Sequence, residues 1–368
     1  MSDSKTLLLA LTQIQGIGAV SARKLISACG GLKKLFLSTY KELVFGYAVP
    51  PRIATLFAEG RDSALKEAVQ ALAGAKQINA RLVTFEDEDY PRRLLSCDDA
   101  PIAFFIKGNC NLDAKYSIAI VGSRRATKYG LDFTKTLVQQ LAQSGVSPII
   151  VSGLAYGIDI EAHRVAVESN LPTVAVLGSG LNNIYPKSHI NTANKIVDNG
   201  ALISEFFPDD SPDAPNFIRR NRIIAGLADC VVVVETGLKG GALTTADIAF
   251  SYNRDVFALP GNINGRMSVG CNALIKYNKA SLVESADDIF RVMNWDIKTV
   301  GKQLSMPAFV DMTADEKAVF DIIEKKSTIH FDDLESLLLI KSNQLSLVLL
   351  QLEFKGIIRT LPGKYYSV

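Results

Sequence analysis

Short apolar runs, each followed by a glycine-bearing turn and a helical stretch, fill the middle of the chain. The runs are SIAIV (117–121), SPIIV (147–151), TVAVL (173–177), ALIS (201–204), CVVVV (230–234) and DVFAL (255–259). A strand with one wet face alternates apolar and polar residues, so unbroken runs predict strands buried on both faces of a parallel sheet. FTKTLVQQLAQS, IEAHRVAVES, IIAGLA and TTADIAFS read as helices between them. From Ser117 to about Val292 the pattern predicts an α/β fold with an open sheet, whose ligands sit at the carboxyl ends of the strands.

The flanks differ. Residues 1–75 predict short helices, with Leu7, Leu11, Ile14 and Ile17 as one apolar stripe. Val20, Leu25 and Ile26 begin a second after the turn Gly16-Ile17-Gly18. Residues 82–114 are acidic and irregular up to a strand at Ile102–Ile106. After Trp295 a polar connector with Gly301 and Pro307 leads to a last module at 310–368. There TADEKAVFDIIEKK, FDDLESLLLI and SNQLSLVLLQLEFKG predict three helices, and GIIRTLPGKYYSV a hairpin turning at Pro362-Gly363, a winged-helix pattern.

Composition narrows the class. The chain has 368 residues, 48% hydrophobic and 21% charged, ordinary globular values. No apolar stretch approaches the ~20 residues of a membrane helix, so a soluble, cytoplasmic protein is expected. Five scattered cysteines and three distant histidines offer neither a disulfide framework nor a metal cluster. A net charge of +2 does not by itself announce a polyanion partner, so a nucleic-acid site must come from local clustering.

That clustering occurs at the strand ends. GSRRATKYG, SGLAYGID, GSGLNNIYP, SEFFP, ETGLKGGALTT and PGNING each follow a strand. Glycine turns leading into helix N-termini let backbone N–H groups reach an anion. A Walker A loop is absent, because the lysine of GLKGGALTT precedes the glycine pair. The dinucleotide fingerprint is incomplete, because Gly178-Ser-Gly180 runs on to Asn183. Arg124, Arg125 and Lys128 follow the first strand, Arg219, Arg220 and Arg222 open a helix, and Lys187 follows Tyr185-Pro186. With Tyr185, Phe206, Phe207 and Phe217 nearby in sequence, the pattern fits either a groove for single-stranded nucleic acid or a solvated surface over core phenylalanines.

Residues 80–290 resemble the DNA-processing protein A family, also called DprA or Smf. The resemblance lies in YPRRLL, IAIVGSRRATKYG, VSGLAYGIDIEAH, VAVLGSGLNNIYP, LISEF, FIRRNRIIAGLADCVVVVE, GGALTTADIA, ALPGNI and GCNALI. It implies an extended Rossmann-like domain over 80–295, flanked by a helix-hairpin-helix or SAM-like module at 1–75 and a winged-helix module at 310–368. The implied function is non-catalytic: the protein binds and protects incoming single-stranded DNA and loads a RecA-type recombinase onto it, in natural transformation and recombination. The resemblance also implies a homodimer through the Rossmann-like domain, without metal or cofactor.

Position by position, the family's G-S-R turn falls on Gly122-Ser123-Arg124, its arginine expected on a phosphate. The S-G-x-A-x-G-I-D turn runs from Ser152 and Gly153 through Gly157 to Asp159, with His163 following. The basic residue after Y-P is Lys187. The F-P-x-R-N-R stretch falls on Phe217, Arg220, Asn221 and Arg222, with Ile218 replacing proline. A last turn falls on Gly240, Gly241 and Thr244, Gly240 standing where the family has serine. Arg124 and Arg220 can fork onto phosphate oxygens, Gly153, Gly157 and Gly241 offer N–H donors, and Phe217 offers a ring to a base. Asp159 and His163 are expected to orient their turn, since an acid on a phosphate track repels it.

Gly16 and Gly18 resemble a helix-hairpin-helix turn, which donates N–H groups to a DNA phosphate. The last module is net acidic, and SNQLSLVLLQLEFKG carries one basic residue, Lys355, so a packing or protein–protein role is expected there. A competing enzyme reading compares Gly240–Asp247 with the G-G-x-G-T-x-x-E of nucleoside-monophosphate phosphoribohydrolases. Leu243 stands for the third glycine and Asp247 for the glutamate.

Overall fold

The computed structural model describes residues 3–295 and 313–367, apart from 327, 339, 341, 356 and 362. The chain divides into two compact units, Met1–Lys298 and Thr299–Val368. The connector around Gly301 and Pro307, and Pro362 of the hairpin turn, lie outside the described residues.

The first unit is built on nine strands: β1 (Ala80–Thr84), β2 (Ala103–Gly108), β3 (Ser117–Gly122), β4 (Ile149–Ser152), β5 (Thr173–Val176), β6 (Ala201–Ser204), β7 (Cys230–Val234), β8 (Asp255–Ala258) and β9 (Ser281–Leu282). Their order is β1-β2-β6-β5-β4-β3-β7-β8-β9. From β6 across to β9 every pairing is parallel, and β1 and β2 add an antiparallel edge. The unbroken apolar runs have the expected cause. Val231 and Val233 enter the core on one face, while Cys230, Val232 and Val234 enter the core on the other.

Among the described residues, twelve α-helices of this unit pack around the sheet. They are α1 (Ser4–Gln13), α2 (Ala19–Ala28), α3 (Leu32–Leu37), α4 (Pro51–Gln77), α5 (Arg92–Leu95), α6 (Lys128–Gln143), α7 (Ile158–Glu168), α8 (Ile190–Asn199), α9 (Ala214–Leu227), α10 (Gly241–Ser251), α11 (Val269–Lys276) and α12 (Ala286–Met293). Residues of α6, α7 and α12 pack on one face and residues of α9, α10 and α11 on the other. The helices of 1–75 share one core with the sheet edge: Leu8, Leu11, Leu35 and Phe57 belong to the same cluster as Leu82, Phe105 and Leu202. Residues 6–11 of α1 are all buried, as a helix apolar on every side must be.

Two local expectations need correction. Val20 is 43% exposed, so the second stripe runs through Ala22, Leu25 and Cys29 rather than starting at Val20. The acidic stretch after residue 80 also begins in β1, paired residue for residue with β2.

The second unit has α13 (Ala314–Lys326), β10 (Thr328–His330), α14 (Phe331–Leu338), α15 (Ser342–Phe354), β11 (Arg359–Leu361) and β12 (Tyr365–Ser367). Its strands order as β10-β12-β11 around a core of Val319, Ile323, Leu334, Leu345 and Leu349.

Candidate functional site

The chain leaves β3 for β4, β5 and β6 on one side, then returns to β7 on the other side of β3. Loops diverge to opposite faces at such a reversal and open a crevice at the carboxyl ends of the strands. A cleft of about 760 Å³ lies there, between the turn after β3, the entry to α7, the first half of α9 and the turn from β7 into α10.

Helix α9 begins at Asp213, whose side chain accepts the N–H of Ala214 at 2.7 Å, with Pro215 in the first turn. The start sorts the arginines by angle. Phe217, Arg220, Asn221 and Ile224, at helical spacing, face the cleft. Arg219 and Arg222 share another face and close on Glu205, Arg219 Nε at 3.1 Å from one oxygen and Arg222 Nη2 against the other. Arg222 also donates to the Asp99 carbonyl. Its guanidinium is thus held by protein and does not line the cleft.

Arg220 lines the floor of the cleft and is only 3% exposed. Its Nη1 donates to Val176 O at 2.6 Å. Burial pulls its pKa down to about 10, with Asp159 acting the other way. Asp159, buried at the start of α7, is pushed up by burial against the pull of Arg220. Of the two arginines expected to fork onto phosphate, Arg124 is the exposed one. Its guanidinium carbon lies 5.6 Å from the Phe217 ring centre, and the Tyr185 ring lies 5.5 Å from Phe217 at 53°. Cation and rings therefore form one continuous wall.

Two glycines make the close approach possible. A β-carbon on Gly153 would fall 1.8 Å from Arg220 Nη1. One on Gly157 would fall 2.1 Å from Ser123 O, and Gly157 has φ +76°. Both stand behind the cleft and set its shape. Asn221 Nδ2 donates to Gly241 O at 3.3 Å, tying α9 to the first turn of α10. The first N–H groups of α10 have no acceptor within the helix and are the donors the turn offers.

The cleft gathers Gly122, Ser123, Arg124, Asp159, Phe217, Arg220, Asn221, Gly240 and Gly241 of the expected residues. Ser152 Oγ is occupied within the sheet, donating to Ile120 O at 2.6 Å. Thr244 sits one turn into α10, its hydroxyl 3.5 Å from Gly240 O. Lys187 is exposed on a short 3-10 turn two residues past Tyr185. Gly16 and Gly18 belong to the α1–α2 turn and do not line the cleft. Phe206 is buried, and Phe207 packs edge-on to Phe105, so Tyr185 and Phe217 are the rings of that group that reach the cleft.

His163 is fully buried, with Nδ1 2.7 Å from the Thr173 hydroxyl. The same hydroxyl lies 2.8 Å from Ile150 O, so ring, hydroxyl and strand carbonyl form one buried hydrogen-bonded chain. Burial drives its pKa down to about 3. A neutral, tethered ring is a structural group.

Met267 and Lys239 also line the cleft, beyond the residues that the sequence pattern marks. Met267 lies just past PGNING, one of the strand-end turns, and accepts from Ser123 Oγ at 3.3 Å. Lys239 sits in the GLKGG turn, directly before Gly240 and Gly241.

Comparison with known proteins places the chain. The family model for DNA recombination-mediator protein A matches residues 81–294. Protein Smf of Escherichia coli K12 is 35% identical over 315 residues, 82% of this chain and 80% of that protein. DNA processing protein DprA of Streptococcus pneumoniae R6 is 40% identical over 203 residues, 55% of this chain and 71% of that one. The X-ray structure of DprA from Streptococcus pneumoniae superposes with a TM-score of 0.65 at 30% identity, over 79% of this chain and 98% of that chain. A structure of DNA processing protein A from Helicobacter pylori, described for its single-stranded DNA binding mode, gives 0.52 at 30% identity, over 58% and 96%. With more than half its length under the family model and a curated relative aligned over most of both chains, the chain belongs to the DNA recombination-mediator protein A family, whose members carry the names DprA and Smf.

Proposed function

We propose that this protein binds single-stranded DNA in the cleft at the β3/β7 reversal. The observation that carries the reading is the wall of Arg124, Phe217 and Tyr185 over a floor of glycine turns. Arg124, Arg125 and Lys239 take phosphates, joined by the N–H groups that open α10 at Gly240 and Gly241. Phe217 and Tyr185 take base faces, which a duplex keeps stacked and a single strand leaves open. Arg220 supports the floor instead of forking onto a phosphate, and Gly153, Gly157, Asp159 and His163 hold its shape. The name of the Helicobacter pylori relative points the same way.

The protein acts without catalysis, as a homodimer through the sheet domain, and passes the strand to a RecA-type recombinase. The α1–α2 turn at Gly16 and Gly18 is read as a helix-hairpin-helix element, and the second unit as a winged helix for packing or protein contact. Supporting the last point, Lys355 is engaged at 2.7 Å by the buried Glu316. The phosphoribohydrolase reading is not favoured, because Asp247, its required acid, is exposed, pairs with Lys279 at 2.9 Å and does not line the cleft. Titration with single- and double-stranded oligonucleotides tests the proposal. Preference for the single strand, reduced by Arg124→Ala, supports it; equal affinity for both forms opposes it.

A further inference from the structure

Next to the cleft lies a second hollow of about 530 Å³, separated from it by Met267, which lines both. Its walls come from the start of α6 (Thr127, Tyr129), from Glu235 after β7, and from the loop after β8 (Asn262, Arg266). The parts are fixed in place. Tyr129 donates its hydroxyl to Pro260 O at 2.8 Å, leaving the side chain half exposed. Ser123 Oγ holds the Met267 sulfur at 3.3 Å. Ring and thioether give the hollow an apolar surface of the kind a base or sugar covers.

The charges around it favour a polyanion. Arg266, which lines the hollow, and Arg125, which lines the first cleft, are both exposed. Glu235 also faces the hollow, but its carboxylate accepts the Thr127 N–H at 2.7 Å and the Thr127 hydroxyl at 2.5 Å. It thereby caps α6, where the positive end of the helix offsets its charge. Glu284 is a further acid close enough to act on Tyr129.

We infer that this hollow is a second subsite for the same DNA strand. Leaving the first cleft over Met267, the strand seats one base or sugar against Tyr129 and Met267 and a phosphate on Arg266. The inference rests on the reading of the first cleft as a single-strand site, and extends it by continuity.

A ladder of oligothymidylates, from trinucleotide to about twenty residues, separates the two sites. The wild-type protein, Tyr129→Leu and Arg266→Ala are titrated with each length, and folding is checked by thermal melting. The shortest oligomer that binds should show equal affinity for all three proteins. Longer ones should bind both variants more weakly, Tyr129→Leu by about tenfold, the loss expected for one stacked base. The salt slope of Arg266→Ala should also fall by ~0.7. A long oligomer carrying 5-iodouracil should photo-crosslink to Tyr129. Unchanged affinity of Arg266→Ala at every length, or an equal loss at every length, would overturn the second subsite. Failure of the wild-type protein to bind any length would instead overturn the reading of the first cleft, and this one with it.

Discussion

The guanidinium of Arg220 occupies the space that a side chain on Gly153 would need: a β-carbon there would lie 1.8 Å from Nη1. An arginine is thus built into the floor of a cleft whose exposed cations, Arg124, Arg125 and Lys239, stand above it. Removing the buried guanidinium should cost stability and affinity together, whereas removing an exposed one should cost affinity alone.

Gly153→Ala should destabilise the protein by about 1–3 kcal/mol, because the guanidinium must move off Val176 O. Gly241→Ala meets its nearest neighbour, Asn221 Nδ2, at 3.7 Å and should cost much less. Chemical denaturation of the two variants measures the difference.

Arg124→Ala should leave stability within about 0.5 kcal/mol of the parent, since the side chain is exposed. Its single-strand affinity should fall. Arg220→Ala should do both kinds of damage, because Val176 O loses its donor and Asp159 loses the cation beside it. Melting curves and titrations on the same samples separate the two.

Arg222→Ala should cost about 3 kcal/mol of stability, as Glu205 is 3% exposed and loses one of its two arginines. Single-strand affinity of the folded fraction should stay at the parent value. A specific loss of affinity without loss of stability would place Arg222 on the DNA.

His163 gives a pH signature. Its folded pKa of about 3 lies below the unfolded value of 6.5, so between these the unfolded chain binds more protons. Stability from the neutral ring is complete above about pH 6.5 and is lost as pH falls toward 3. Asp159, shifted upward, acts in the opposite direction and is common to both proteins compared. Denaturation midpoints at pH 7.5 and pH 5 should therefore drop more in the parent than in His163→Gln.

Much of this was readable in advance because backbone needs leave strong marks. Parallel strands buried on both sides read as CVVVV, and glycine turns at their ends mark the crevice. The arginines of FIRRNR were harder. Placed as a group they all look like phosphate ligands, yet one helical position turns a side chain by 100°, and α9 starts nine residues before the apolar IIAGLA that suggested it. Extending the helix back to Pro215 would have separated Arg220 from Arg222. Glu205 left a weaker signal, since a buried acid that pairs two arginines is distant from them in sequence. The strand at Ala80–Thr84 was obscured by the acidic turn that follows it.

The most direct test is affinity for single-stranded against double-stranded oligonucleotides across a salt series, in the parent and in Arg124→Ala. The account predicts tighter binding of the single strand and, in the variant, a log–log salt slope shallower by ~0.7. Equal binding of both forms, with the same slope in the variant, would contradict it.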